Sequence, residues 1–220
     1  MKRKVLLSMI VVLTSVSGIF AQKQADNKGG TGQNWLQEIS SNYFYIRVAS
    51  NTNLYWDLPG KHPETAKKDI QFQIWGKDDD PYERTFIFPK ISGTNNYAIQ
   101  NKAGYIVDVG GKKELSATET IQEAGGKKFK MKKDNGAEIQ TWVMENGGCA
   151  QWQQWKIIVV DKNVVMFENI FTGKAIDVKG GVFKNGTKLN SWKRNNSDSQ
   201  KFVLEYADGP KKGQLLDFEL

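Results

Sequence analysis

Cysteine and histidine are nearly missing from this 220-residue chain: Cys149 and His62 are its sole representatives. One cysteine closes no internal disulfide, so stability has to come from a packed core. One histidine excludes a multi-histidine metal site and leaves a histidine-based triad without context, because His62 sits in the loop-like run Gly60-Lys61-His62-Pro63-Glu64. Cys149, in Gly147-Gly148-Cys149-Ala150, reads as a small turn or core residue rather than a nucleophile. No catalytic residue, metal ligand or cofactor is therefore expected, although a carboxylate pair for glycoside hydrolysis is recognised only by its separation in space. Long apolar runs are also scarce. The single one, Val5 to Ile19, follows Lys2, Arg3 and Lys4 and precedes Ala21-Gln22, the pattern of a cleaved secretory signal over residues 1–21.

The mature chain is thus expected to start near Gln22, secreted or periplasmic, with no membrane span and no cysteine at the cleavage point to carry a lipid. Residues 22–42 read as a linker, most clearly the polar, glycine-bearing stretch Lys23 to Asn34. Without Lys2, Arg3 and Lys4, 28 basic residues face 24 acidic ones, a formal +4 in place of +7. That mild excess, together with export, argues against nucleic acid as a partner. The basic run Lys127 to Lys133 reads as a solvated loop.

What the chain does have is a motif written three times. Gln73-Ile74-Trp75, Gln140-Thr141-Trp142 and Asn190-Ser191-Trp192 each follow an Asp-hydrophobe pair, Asp57-Leu58, Asp108-Val109 and Asp177-Val178. Asp57 to Asp108 is 51 positions and Trp142 to Trp192 is 50, whereas Asp108 to Asp177 is 69 and Trp75 to Trp142 is 67. One insertion between Asp108 and Trp142 accounts for both long intervals, and the polar, Lys- and Gly-rich stretch Glu114 to Lys133 is its natural place. Each copy carries a carboxylate, an amide and a large flat ring. The amide and the ring stand two residues apart, on one face of a strand.

Short candidate strands fill the rest: Phe44 to Val48, Phe72 to Trp75, Phe86 to Phe88, Tyr97 to Gln100, Ile106 to Val109, Ile139 to Trp142, Trp155 to Val160, Val164 to Phe167, Ala175 to Val178, Leu189 to Trp192 and Phe202 to Leu204. None has a sustained helical period. Asn185-Gly186 predicts a type I′ hairpin turn, and Trp155 and Phe202 read as core. Many short strands in three repeats of about four predict an all-β, three-lobed barrel.

The third copy, Asp177 to Trp192 followed by Gln200-Lys201-Phe202, resembles one repeat of the ricin B-type β-trefoil lectin domain family, in a secreted, bacterial-looking form. The resemblance extends from Tyr43 to Ala207. It implies a β-trefoil over residues 43–207, with the long insertion in the second repeat, and leaves 208–220 as a tail able to dock on the barrel or on a partner. The family's Gln-x-Trp marker is intact as Gln153-Gln154-Trp155, altered as Gln200-Lys201-Phe202, and decayed to Arg84-Thr85-Phe86. The position before it, usually Asn, holds Trp152, Ser199 and Glu83; a Glu83–Arg84 ion pair would block a neutral sugar or select a charged one.

The resemblance implies up to three shallow sugar sites. They are Asp57, Gln73 and Trp75; Asp108, Gln140 and Trp142, with Gln153; and Asp177, Asn190 and Trp192, with Ser199 and Gln200. A carboxylate accepts from two sugar hydroxyls, the ring meets the C–H face of a pyranose, and the amide closes the site. The third copy is expected to be the best site, then the second, then the first. Partners would be glycans on surfaces, on mucin-type chains or in polysaccharides. The alternative is a protein-binding or inhibitor trefoil with degenerate sugar sites and buried tryptophans, in contact with a partner through Glu114 to Lys133 or Pro59 to Asp69.

Overall fold

The computed structural model describes residues 34–60, 67–78, 84–110, 135–144 and 149–218, with the backbone of 113–114, 123–124 and 127–130. The export signal, His62 and Glu83 lie outside them.

Alternation sets the first barrel strand. In β1 (Phe44–Val48) Phe44, Ile46 and Val48 are fully buried while Tyr45 and Arg47 are half-buried. β2 (Asn51–Asp57), β3 (Gln73–Gly76) and β4 (Thr85–Ile87) complete the first repeat. The second holds β5 (Gln100–Asn101), β6 (Ile106–Val109), β7 (Lys113–Glu114), β8 (Glu123–Ala124), β9 (Lys127–Lys130), β10 (Ile139–Trp142) and β11 (Trp155–Asp161). The third is β12 (Val164–Asn169), β13 (Ala175–Val178), β14 (Leu189–Trp192) and β15 (Phe202–Tyr206).

Six of these strands close a ring. β15 pairs with β1, β1 with β4, β4 with β5, β11 with β12 and β12 with β15. The ring is completed just before β5 by an isolated two-way bridge to β11, in which the amides of Tyr97 and Trp155 each donate to the other's carbonyl at 2.9 Å. Closure removes the unpaired edges that an open sheet would present. Three hairpins, β2–β3, β6–β10 and β13–β14, cap one end. Their second arms interlock through Phe72 N to Ile139 O (2.8 Å), Ile74 N to Thr187 O (2.8 Å) and Ser191 N to Ala137 O (2.7 Å). This is the β-trefoil.

The core is aromatic. Trp56 meets Phe86, Phe167 and Phe202 edge-on at 5.1–5.9 Å, and Trp155, fully buried like Phe202, donates its indole N–H to Val107 O at 3.1 Å. The insertion carries a small antiparallel sheet in the order β7-β9-β8.

Two expectations need correction. Part of the stretch read as linker is an α-helix, α1 (Asn34–Ser41), because Trp35, Leu36 and Ile39 form an apolar stripe at helical spacing within an otherwise polar segment. Ile39 is fully buried, its carbonyl accepts from Phe88 N at 3.0 Å, and Glu38 accepts from Tyr206 Oη (3.0 Å) and Lys211 Nζ (2.8 Å). The Asn185-Gly186 turn is not type I′: only Gly186 has positive φ (83°), and Thr187 N donates to Lys184 O at 3.2 Å. Asn185 instead accepts from Gly76 N at 2.8 Å, which ties the third repeat's loop to the first repeat. The tail docks on the barrel: Leu216 N donates to Leu204 O (2.8 Å), and Phe218, 1 % exposed, packs edge-on against Trp35 at 5.3 Å.

Candidate functional site

Register brings each motif together. Across the three cap hairpins Asp57 stands opposite Gln73, Asp108 opposite Gln140, and Asp177 opposite Asn190. Two residues on, Trp75, Trp142 and Trp192 face Tyr55, Ile106 and Ala175. Period-two geometry puts carboxylate, amide and ring on one face, while Trp56, Ile74, Val107, Ile139, Ile176 and Leu189 fill the core from the other.

Beneath each aspartate lies a clamp. Gln153 Nε2 donates to Asp108 Oδ2 (3.0 Å) and Val143 O (3.1 Å); Gln200 Nε2 donates to Asp177 Oδ2 (3.0 Å) and Lys193 O (3.1 Å). Arg84 takes the same position in the first repeat, with Nη1 donating to Gly76 O and Nη2 3.1 Å from Asp57 Oδ1. In all three the carbonyl belongs to the residue after the motif tryptophan. Gln153 and Gln200 have no exposed surface, so they orient the carboxylate and do not face a ligand. Arg84 also reaches Asp78 (2.5 Å) as a second carboxylate among the described residues; the expected pair with Glu83 lies outside them.

The three faces differ in what remains free. In the third, Ser199 Oγ also donates to Asp177 Oδ2 (2.9 Å), which leaves Oδ1 with no partner among the described residues yet not sealed from solvent. Asn190 is 5 % exposed, its carboxamide makes no hydrogen bond among the described residues, and Trp192 beside it is 41 % exposed. Burial raises the Asp177 carboxyl above its ordinary pKa, opposed by the Ser199 and Gln200 hydrogen bonds.

In the first face the same groups are turned inward. Asp57 accepts from Gln73 Nε2 on Oδ2 (2.7 Å), its Oδ1 is buried 3.1 Å from Arg84 Nη2 as an ion pair with no hydrogen bond, and Gln73 Oε1 accepts from Lys188 Nζ (3.0 Å). Burial raises the Asp57 pKa against the pull of Gln73 and Arg84. Trp75, 40 % exposed, rims a pocket of about 410 Å³ with Asp57, Gln73, Asp78 and Arg84. In the second, Asp108 has no exposed surface, and Lys68 Nζ lies 5.1 Å over the Trp142 ring. Cys149 stands apart, its thiol pushed up to about 11 by burial and so protonated at neutral pH.

Sequence reasoning missed the residues two before each amide. Gln71 bridges to Gln140, Glu138 to Asn190 and Lys188 to Gln73, so every amide has a neighbour donated by another repeat. The signal was present as the longer spacing Gln71-x-Gln73-x-Trp75, Glu138-x-Gln140-x-Trp142 and Lys188-x-Asn190-x-Trp192. Around the third amide, Gln71, Glu138, Lys179, Gly180, Asn190 and Trp192 line a pocket of about 470 Å³.

This geometry has a counterpart among known families. The model of the ricin-type beta-trefoil lectin domain-like family matches residues 85–192 and 151–213, together more than half of the chain. The chain belongs to this family. Solved structures share the fold at low identity. The designed threefold-symmetric protein ThreeFoil is 15 % identical (TM-score 0.55; 74 % of this chain, 96 % of that one). A Polyporus squamosus lectin bound to the epitope Neu5Aca2-6Galb1-4GlcNAc is 18 % identical (0.52; 75 % and 49 %). An exo-beta-1,3-galactanase from Clostridium thermocellum is 16 % identical (0.57; 76 % and 30 %). The chain therefore spans about half of that lectin and under a third of that galactanase. No curated protein matches it in sequence. Membership supports carbohydrate binding at the level of the family; the clamps under Asp108 and Asp177 are the part of the family marker that this chain retains.

Proposed function

We propose that this protein is a secreted or periplasmic glycan-binding protein that works mainly through its third repeat and performs no catalysis of its own. The observation that carries the reading is the third face: a carboxylate held on one oxygen with the other free, an unbonded amide, and an open indole ring. A sugar supplies what these groups lack, hydroxyl donors for Asp177 Oδ1 and an apolar C–H face for Trp192. The first face's Asp57 Oδ1 is sealed from solvent against Arg84, and the cations there disfavour a neutral sugar. The second is closed by its buried carboxylate and by Lys68 over Trp142. The exposure of Trp75 and Trp192 weighs against the protein-binding alternative, which calls for buried tryptophans.

A broad array of bacterial, plant and mucin-type glycans, probed with the chain from Gln22 onward at low and moderate salt, tests this. Binding that survives moderate salt and is competed by one free sugar is expected. Binding to sulfated or sialylated glycans at low salt alone would shift the activity to basic side chains. No binding would favour the protein-partner reading.

A further inference from the structure

The third repeat's amide is a buried polar group without a partner, whereas Gln73, its counterpart in the first, is bonded to both Asp57 and Lys188. Such a group calls for a ligand or water to complete it. Beside it, Glu138 is paired in register with Asn190 from another repeat, and the pocket of about 470 Å³ runs from Trp192 past Asn190 to Glu138, Gln71 and Lys179. That volume falls in the range of small-ligand sites and extends away from Asp177, which does not line it. Glu138 and Lys179 are exposed, and neither is engaged in an ion pair with the described residues. Gln71 is fixed in the wall by its bond to Leu189 O at 3.0 Å.

We infer that the third site has a second subsite built across the repeat boundary, and that its ligand is an oligosaccharide of at least two rings. One ring lies on Trp192 against Asp177. The next sits over Asn190, where Glu138 accepts from its hydroxyls and Lys179 donates to a ring or glycosidic oxygen. The equivalent wall position is Lys188 in the first face and Gln71 in the second, so the other faces cannot read the same second ring. This inference rests on the third face being a sugar site.

The test is calorimetric titration with glucose, galactose, mannose and N-acetylglucosamine and with the di- and trisaccharides of each, on wild type, Glu138→Ala, Glu138→Gln and Lys179→Ala. A disaccharide binding about tenfold or more tighter than its monosaccharide is expected. Glu138→Ala should erase that gain while leaving the monosaccharide unchanged, and Glu138→Gln, which keeps an acceptor, should restore most of it; Lys179→Ala should cut the gain in part. Equal affinity for one and two rings across the series, or a Glu138→Ala loss shared by mono- and disaccharide, would overturn the second subsite alone. Loss of all sugar binding in wild type would overturn the sugar site itself.

Discussion

At the scale of single residues, the clamp decides what each aspartate can do. Asp177 is held by Gln200 and Ser199 on Oδ2, and burial makes its charged form costly. Because its folded-state pKa is raised, the stability it contributes is present at low pH and is lost as pH rises through that pKa. Asp177→Asn keeps both acceptor bonds and removes the charge. We predict that it binds no glycan, yet melts no lower than wild type at pH 7, with any advantage of up to about 1 kcal/mol vanishing as pH falls below the ordinary carboxylate range; thermal melts across pH check this. Arg84 provides the converse case, a 1 % exposed cation bridging Asp57, Asp78 and Gly76 O. Arg84→Ala should cost about 3–5 kcal/mol by urea unfolding, since it strands a buried carboxylate. Arg84→Gln should cost less than half as much, because a glutamine there can repeat the bonds of Gln153 and Gln200. The resemblance through the Gln-x-Trp marker put Gln153 and Gln200 among the sugar-site residues. Their burial follows from contacts with Asp108 and Asp177 across 45 and 23 positions, which a single sequence does not display.

At the scale of elements, the hairpins were legible and the seams between repeats were not. The strands that carry Asp-hydrophobe and amide-x-Trp were legible from the repeated motif, and with them the sharing of one face by amide and ring; the register that sets Asp177 opposite Asn190 was not, because the turn read at Asn185-Gly186 is not type I′. The bridges from Lys188 to Gln73 and from Glu138 to Asn190 join different repeats, and no local periodicity announces them. α1 escaped notice for a similar reason: three apolar residues make a weak pattern, and the helix is held by Phe88, Tyr206, Lys211 and Phe218, all distant in sequence. The tail is part of the same packing, so Phe218→Ala should destabilise by about 3–5 kcal/mol in chemical unfolding. A short turn in place of 111–134 should leave the melting temperature and glycan binding nearly unchanged, because Val109 to Ile106 set their own register with Ile139 to Trp142.

At the scale of the whole molecule, three repeats share one fold and no longer share one chemistry. The closed barrel and the interlocked cap need all three hairpins, which explains why the first and second persist while Arg84, Lys188 and Lys68 occupy the groups a sugar would use. The proposed single site per chain implies modest affinity, raised in use by ligands that present several copies of the glycan to several copies of the protein. The most direct test is calorimetric stoichiometry with the best array glycan, on wild type, Asp177→Ala and Trp192→Ala. One site per chain in wild type and none in either variant, with melting temperatures intact, is the predicted result. Three sites per chain, or binding that survives both substitutions, would contradict it.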